Sequence, residues 1–108
     1  MPSMSRQIQS EQEWISILHS GKKVLVLFYA SWCPFCKRFL PVYERNCGDK
    51  ENSCLIVTDE LETLEDDYAV EVVPTVICFQ GGKEIKRLDG IPGKGLSEKQ
   101  LRDFLHDE

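Results

Sequence analysis

Residues 24–37, VLVLFYASWCPFCK, set an apolar run directly against two cysteines three positions apart. The run from Lys23 to Ala30 is rich in β-branched and aromatic side chains with almost no polar break. That is the pattern of a central strand buried on both faces of an α/β sheet. The pair Cys33 and Cys36 then falls where this strand gives way to a helix. Pro34 suits the first helical turn, where its missing N–H costs nothing. The helix is expected to run from the cysteine motif to about Cys47, kinked by Pro41.

Working outward, Ser10-Glu11-Gln12-Glu13 reads as a capping box that opens a helix with Trp14, Ile15, Ile17 and Leu18 on one face and Gly21 at its end. Beyond the cysteines, Cys54 to Thr58 is a short strand and Asp59 to Ala69 an acidic helix. Thr75 to Gln80 and Glu84 to Asp89 are strands joined by Gly81-Gly82, a hairpin signal. Ser97-Glu98-Lys99-Gln100 is a second capping box, opening a last helix with Leu101, Phe104 and Leu105 inward. A short edge strand is expected near Arg6 to Gln9. A βαβ half followed by a ββα half predicts an α/β fold, with a central mixed sheet of four to five strands flanked by helices on both faces.

At 108 residues the chain has room for one buried core, so residues 1–108 are read as a single domain. With 42% apolar and 29% charged residues it is a folded, water-soluble chain rather than a disordered one. The net charge of −5 argues against nucleic acid or an anionic membrane as partner, since both need a basic face. No segment approaches the ~20 apolar residues of a membrane span. The opening Met1 to Ser10 lacks the apolar core of a secretory signal, and a cytoplasmic location is expected. There the five cysteines, Cys33, Cys36, Cys47, Cys54 and Cys78, are expected as thiols, and a close pair points to catalysis or metal binding before a structural staple.

With Cys33 at the helix start and Cys36 one turn on, the two sulfurs face the same side. Unpaired backbone N–H groups and the helix dipole favour an anion at the first of them. In cysteines so placed, pKa values of roughly 3.5–7.5 replace the free ~8.5, and the thiolate is the attacking species in disulfide exchange. Lys37 adds a nearby positive charge. A C-x-x-C is also half of a zinc site, and inert core thiols are a third reading. A structural zinc needs a second close pair. Cys47, Cys54 and Cys78 supply none, and His19 and His106 stand alone near helix ends, so neither a metal nor any other cofactor is expected.

Val26 to Lys37, Pro41 within the helix, Val73-Pro74-Thr75, Gly81-Gly82 and Gly90 together resemble the thioredoxin family, over about Met4 to Leu105. The resemblance implies the thioredoxin fold, and a thiol–disulfide oxidoreductase that reduces protein disulfides, with Cys33 as nucleophile and Cys36 as resolving thiol. It implies a cis peptide before Pro74, packed against the cysteines, and a Val73 backbone offered to an extended substrate strand. Trp32, Pro34 and Phe35 would border that groove. A thioredoxin reductase or similar donor is the expected electron source, and a monomer the expected state. A glutaredoxin-like protein, a disulfide oxidase or isomerase, and a non-catalytic binding or metal-carrying module remain the alternatives.

The departures from the family pattern are specific. Pro34-Phe35 stands where typical thioredoxins have Gly-Pro, and an aromatic there resembles glutaredoxins, although no Gly-Gly-Asp glutathione segment follows. Leu27 occupies the position of the buried aspartate six residues before the first cysteine, and Leu55 that of its lysine. Losing the carboxylate removes the usual general base for Cys36 and a buried charge that raises thiol pKa values. Cys47 and Cys54 could form a second disulfide, although two ordinary thiols at element ends is the favoured reading. Cys78 reads as a buried small hydrophobe. The carboxylates of residues 59–67 read as a solvated helix face.

Overall fold

The structure is a computed structural model that describes residues 5–47 and 53–106. Met4, where the family resemblance begins, lies outside them. Among the described residues nine elements follow in chain order: β1 (Arg6–Gln7), α1 (Glu11–His19), β2 (Val24–Tyr29), α2 (Pro34–Cys47), β3 (Ser53–Val57), α3 (Glu62–Asp67), β4 (Thr75–Gln80), β5 (Lys83–Leu88) and α4 (Glu98–His106). The strands form one mixed sheet in the order β1-β3-β2-β4-β5. β1 and β2 lie parallel to β3, while β4 runs antiparallel to both β2 and β5.

The alternation of β2 builds two cores. Val24, Val26 and Phe28 point to one face, with Trp14 of α1 and Leu64 of α3. Leu25 and Leu27 point to the other, with Phe39, Tyr43 and Cys47 of α2 and Leu101 and Phe104 of α4. So α1 and α3 cover one face and α2 and α4 the other, the sandwich the element order implies. Burial of both faces is why β2 reads as a continuous apolar run rather than an alternating one.

Both capping signals operate. The Ser10 hydroxyl accepts from Glu13 N–H at 3.1 Å, while the Glu13 carboxylate turns one residue further back to the Gln9 N–H at 2.6 Å. At α4 the exchange is reciprocal: Gln100 N–H donates to Ser97 Oγ (3.2 Å) and Ser97 N–H to the Gln100 carboxamide oxygen (2.9 Å). Gly81 and Gly82 both have positive φ, 61° and 80°, as a two-residue hairpin turn of the I′ type requires.

Two expectations need correction. Ile15 does not join the buried face of α1: it is 50% exposed, because that short helix buries only the stripe through Trp14 with Ile17 and Leu18 at its border. The acidic helix is also shorter than Asp59 to Ala69. Its expected first turn is a tight bend in which the N–H groups of Glu60 and Leu61 both donate to the Val57 carbonyl at 3.0 Å. Its end is set by Ala69 at φ 51°, where Ala69 N–H bonds Asp66 O and Val70 N–H bonds Glu65 O, a Schellman closure.

Candidate active site

Cys33 is the residue that caps α2. Its carbonyl accepts the first helical hydrogen bond, from Lys37 N–H at 3.0 Å, and its own N–H reaches back to Ala30 O at 3.3 Å. Pro34 follows as the first helical residue, in the position where no backbone donor is needed. One turn on, Cys36 returns to the same side, and the two thiols are free. Together with Ala30 they form a small buried cluster, walled by Tyr29, Phe35 and Val73.

The second wall is the segment that enters β4. The Val73–Pro74 peptide is cis, as the resemblance implies, and the Cys33 thiol lies 4.0 Å from the Val73 carbonyl oxygen, as donor. Pro74 is buried and Val73 half-buried. The Thr75 hydroxyl donates to Val72 O and accepts from Gly90 N–H at 3.4 Å, which ties the segment to the end of β5. Gly90 is there because of a close approach: a Cβ on it would run into the Pro74 carbonyl oxygen. That is the physical content of the Gly90 match seen in the sequence.

Trp32 is 69% exposed, directly before the nucleophile candidate. With Thr58, Asp59, Glu62, Glu65 and Asp66 it lines an open cleft of about 300 Å³. Asp59 closes the base of this rim on the active-site loop. Its carboxylate accepts from Ser31 N–H at 3.0 Å and from the Ser31 hydroxyl at 2.6 Å, and those hydrogen bonds hold its pKa below the usual carboxylate value. No sequence pattern announces this contact, because a run of carboxylates after a strand looks the same whether one of them is engaged or all are solvated.

Burial pushes the Cys36 thiol up to about 12, opposed by a hydrogen bond with the Ala30 backbone and reinforced by the hydrogen bond and charge of Cys33. Tyr29 is also raised, first by burial and then by Glu60 and Asp59. Leu27 and Leu55 face each other across the β2–β3 ladder, with Val76 opposite Leu27 on β4. All three belong to the core that α2 covers, and Tyr29 packs on both that core and the cysteine cluster.

Cys47 and Cys54 lie in different cores, on opposite faces of the sheet, which rules out the second disulfide in this conformation. Burial raises Cys54 to about 11. Cys78 is buried beside Leu27 and Val76 in the α2-side core. Among the described residues, no group of three or more His, Cys, Asp or Glu side chains is placed to hold a metal ion.

One participant went unread in the sequence. Gly95 is buried against Phe35, in a loop that follows Gly90. The dipeptide Pro92-Gly93 signals a turn there, but no local pattern pairs the turn with a side chain sixty residues earlier.

A mixed sheet between two helix pairs, with a dithiol at the start of α2 facing a cis-proline segment, is the thioredoxin fold. Comparison agrees. The thioredoxin family profile matches residues 5–107. A thioredoxin of Mycoplasmoides gallisepticum is 35% identical over 96 residues, covering 86% of this chain and 96% of that one. The bifunctional thioredoxin reductase/thioredoxin of Mycobacterium leprae is 36% identical over 92 residues, 82% of this chain but 20% of that longer protein. A Nicotiana alata thioredoxin structure superposes with a TM-score of 0.83 at 25% identity, covering 99% of this chain and 94% of that one. The chain belongs to the thioredoxin family, and its cysteine pair makes it a thiol–disulfide oxidoreductase.

Proposed function

We propose that this chain is an atypical thioredoxin with a Cys33-Pro34-Phe35-Cys36 centre that reduces disulfides of proteins. The observation that carries this reading is the placement of Cys33 at the cap of α2, clustered with Cys36 and 4.0 Å from the Val73 carbonyl. The Cys33 thiolate attacks one sulfur of the substrate disulfide. That S–S bond breaks, the departing sulfur takes a proton, and a Cys33–substrate mixed disulfide remains. Cys36 then loses its proton and attacks Cys33 Sγ, forming the Cys33–Cys36 bond and releasing the second substrate thiol. Two electrons pass to the substrate, and an external dithiol donor returns them.

The Val73 backbone, held by Pro74, aligns the substrate strand, with Trp32, Pro34 and Phe35 as the groove's apolar border. A flavoprotein reductase of the thioredoxin reductase class is the proposed donor; the fusion of the two activities in the M. leprae relative is in keeping with it. The protein acts as a monomer in a reducing compartment such as the cytoplasm.

The test is single-turnover reduction of a protein disulfide by the pre-reduced chain. Cys33→Ser should abolish transfer, while Cys36→Ser should stop at a mixed disulfide visible by mass. Transfer retained by Cys33→Ser would overturn the reading. An equilibrium potential well above the glutathione poise would instead identify an oxidant or isomerase.

A further inference from the structure

The chain after β5 folds into a closed loop beside the cysteines. Ile91 N–H bonds Gly95 O at 2.9 Å, Gly95 N–H bonds Ile91 O at 2.8 Å, and Lys94 N–H bonds Ile91 O at 2.9 Å. Pro92 and Gly93 occupy the centre of this turn, Gly93 at φ 77°, as a type II turn demands of its third residue. That requirement explains Gly93 completely: a Cβ there would meet nothing within 4 Å. Gly95 is different. Its φ is also positive, 78°, but a Cβ on it would lie 2.9 Å from Phe35 Cβ and 3.3 Å from Phe35 Cγ. The Arg38 guanidinium stands over the Phe35 ring, 5.1 Å from its centroid. Phe35 is therefore seated on the Gly95 backbone while it walls the Cys33–Cys36 cluster.

We propose that Gly95 is a positioning residue of the exchange site: its missing side chain lets loop 91–95 close on Phe35, and this seat fixes the turn that carries Cys33 and Cys36 and so sets the balance between their dithiol and disulfide forms. The inference rests on the redox reading given above. A disulfide tolerates only a narrow range of Cα separations and torsions, whereas two free thiols accept a displaced turn. Phe35 is bonded directly to Cys36, so any shift of its Cβ passes to the pair. Displacement then penalises the disulfide selectively, and the couple becomes more oxidising. In the exchange with glutathione, two glutathione thiols reduce the Cys33–Cys36 bond and leave as one glutathione disulfide, so the equilibrium constant reads this balance directly.

The experiment is that equilibrium, measured by thiol trapping in graded glutathione buffers for wild type, Gly95→Ala, Gly93→Ala and Phe35→Ala. Gly95→Ala should move the equilibrium roughly tenfold toward the dithiol, ~30 mV in potential. Gly93→Ala carries the same left-handed backbone penalty without the contact and should leave the equilibrium at the wild-type value. Phe35→Ala, which removes the ring from its seat, should move it in the same direction by less, and it reports on the seat even if Gly95→Ala does not fold. Equal shifts for Gly95→Ala and Gly93→Ala, or no shift for Phe35→Ala, would overturn the role of Gly95 while the wild-type couple still titrates. A wild type without a two-electron transition would overturn the redox reading itself, and this role with it.

Discussion

The interior that α2 covers and the rim around Trp32 treat charge in opposite ways. Inside, Leu27, Leu55 and Val76 stack across three strands, at 0%, 5% and 0% exposure, with no charged side chain among them. At the rim, the 69%-exposed Trp32 borders four carboxylates, and Asp59 is tied into the active-site loop through Ser31. The contrast separates the two halves of the reaction. Release of the Cys36 proton is governed by burial, which raises that thiol to about 12. The rim instead presents an acidic, aromatic surface to solvent, where its charges are screened by salt.

Leu27→Asp puts a carboxylate between Leu55 and Val76 with no partner, and should cost about 3–5 kcal/mol in denaturant unfolding. If the two leucines jointly replace an ion pair, Leu55→Lys in the same chain should recover about 0.5–3 kcal/mol of that loss. A double variant no more stable than Leu27→Asp alone would show that the two positions are not coupled. The next effect lies between interior and rim. Gly90→Ala drives a Cβ into the Pro74 carbonyl, so stability should fall by about 1–3 kcal/mol. Single-turnover transfer should slow with it, because Val73 and Pro74 are displaced from Cys33. Unchanged transfer kinetics would dissociate that segment from the exchange step.

A smaller effect comes from pH. The Cys36 pKa is raised from 9.0 to about 12 and that of Cys54 to about 11. An unfolded chain therefore gives up these protons first as pH rises. The stability tied to the neutral thiols is whole below about pH 9 and declines from there toward the folded values. Closing the Cys33–Cys36 disulfide removes the Cys36 contribution and leaves that of Cys54. Between about pH 8 and pH 10, the denaturant midpoint of the reduced protein should drop more than that of the oxidised one. Equal drops would mean that burial does not control Cys36.

Most of the architecture was legible because it is written in local patterns. The run into Tyr29, the Ser10 and Ser97 caps and the Gly81-Gly82 turn each fix an element without reference to the rest of the chain. The active-site cysteines were legible for the same reason: a C-x-x-C with proline at the helix start is a local pattern. What escaped were backbone conformations without a residue signature and contacts distant in sequence. The acidic helix stops early because Ala69 adopts a left-handed conformation, and no side-chain preference announces that at an alanine. Asp59 turns toward Ser31, and Gly95 supports Phe35, across gaps that no periodicity spans. Ile15 was misread because apolar spacing marks a face without stating how wide a stripe the core can cover.

The smallest structural effect should come from the rim. Trp32 is exposed and belongs to none of the buried clusters, so Trp32→Ala should change stability by no more than about 0.5 kcal/mol. Exposed aromatic anchors carry much of the energy when one protein meets another, and loss of this one should lower kcat/KM toward a protein disulfide roughly tenfold. Toward a small uncharged disulfide, which reaches Cys33 without covering the rim, the loss should be far less. The ratio of the two losses is the measurement. Equal losses would place Trp32 in the chemistry of Cys33 rather than in recognition, and would remove the division between a dry interior that controls protons and a wet rim that selects partners.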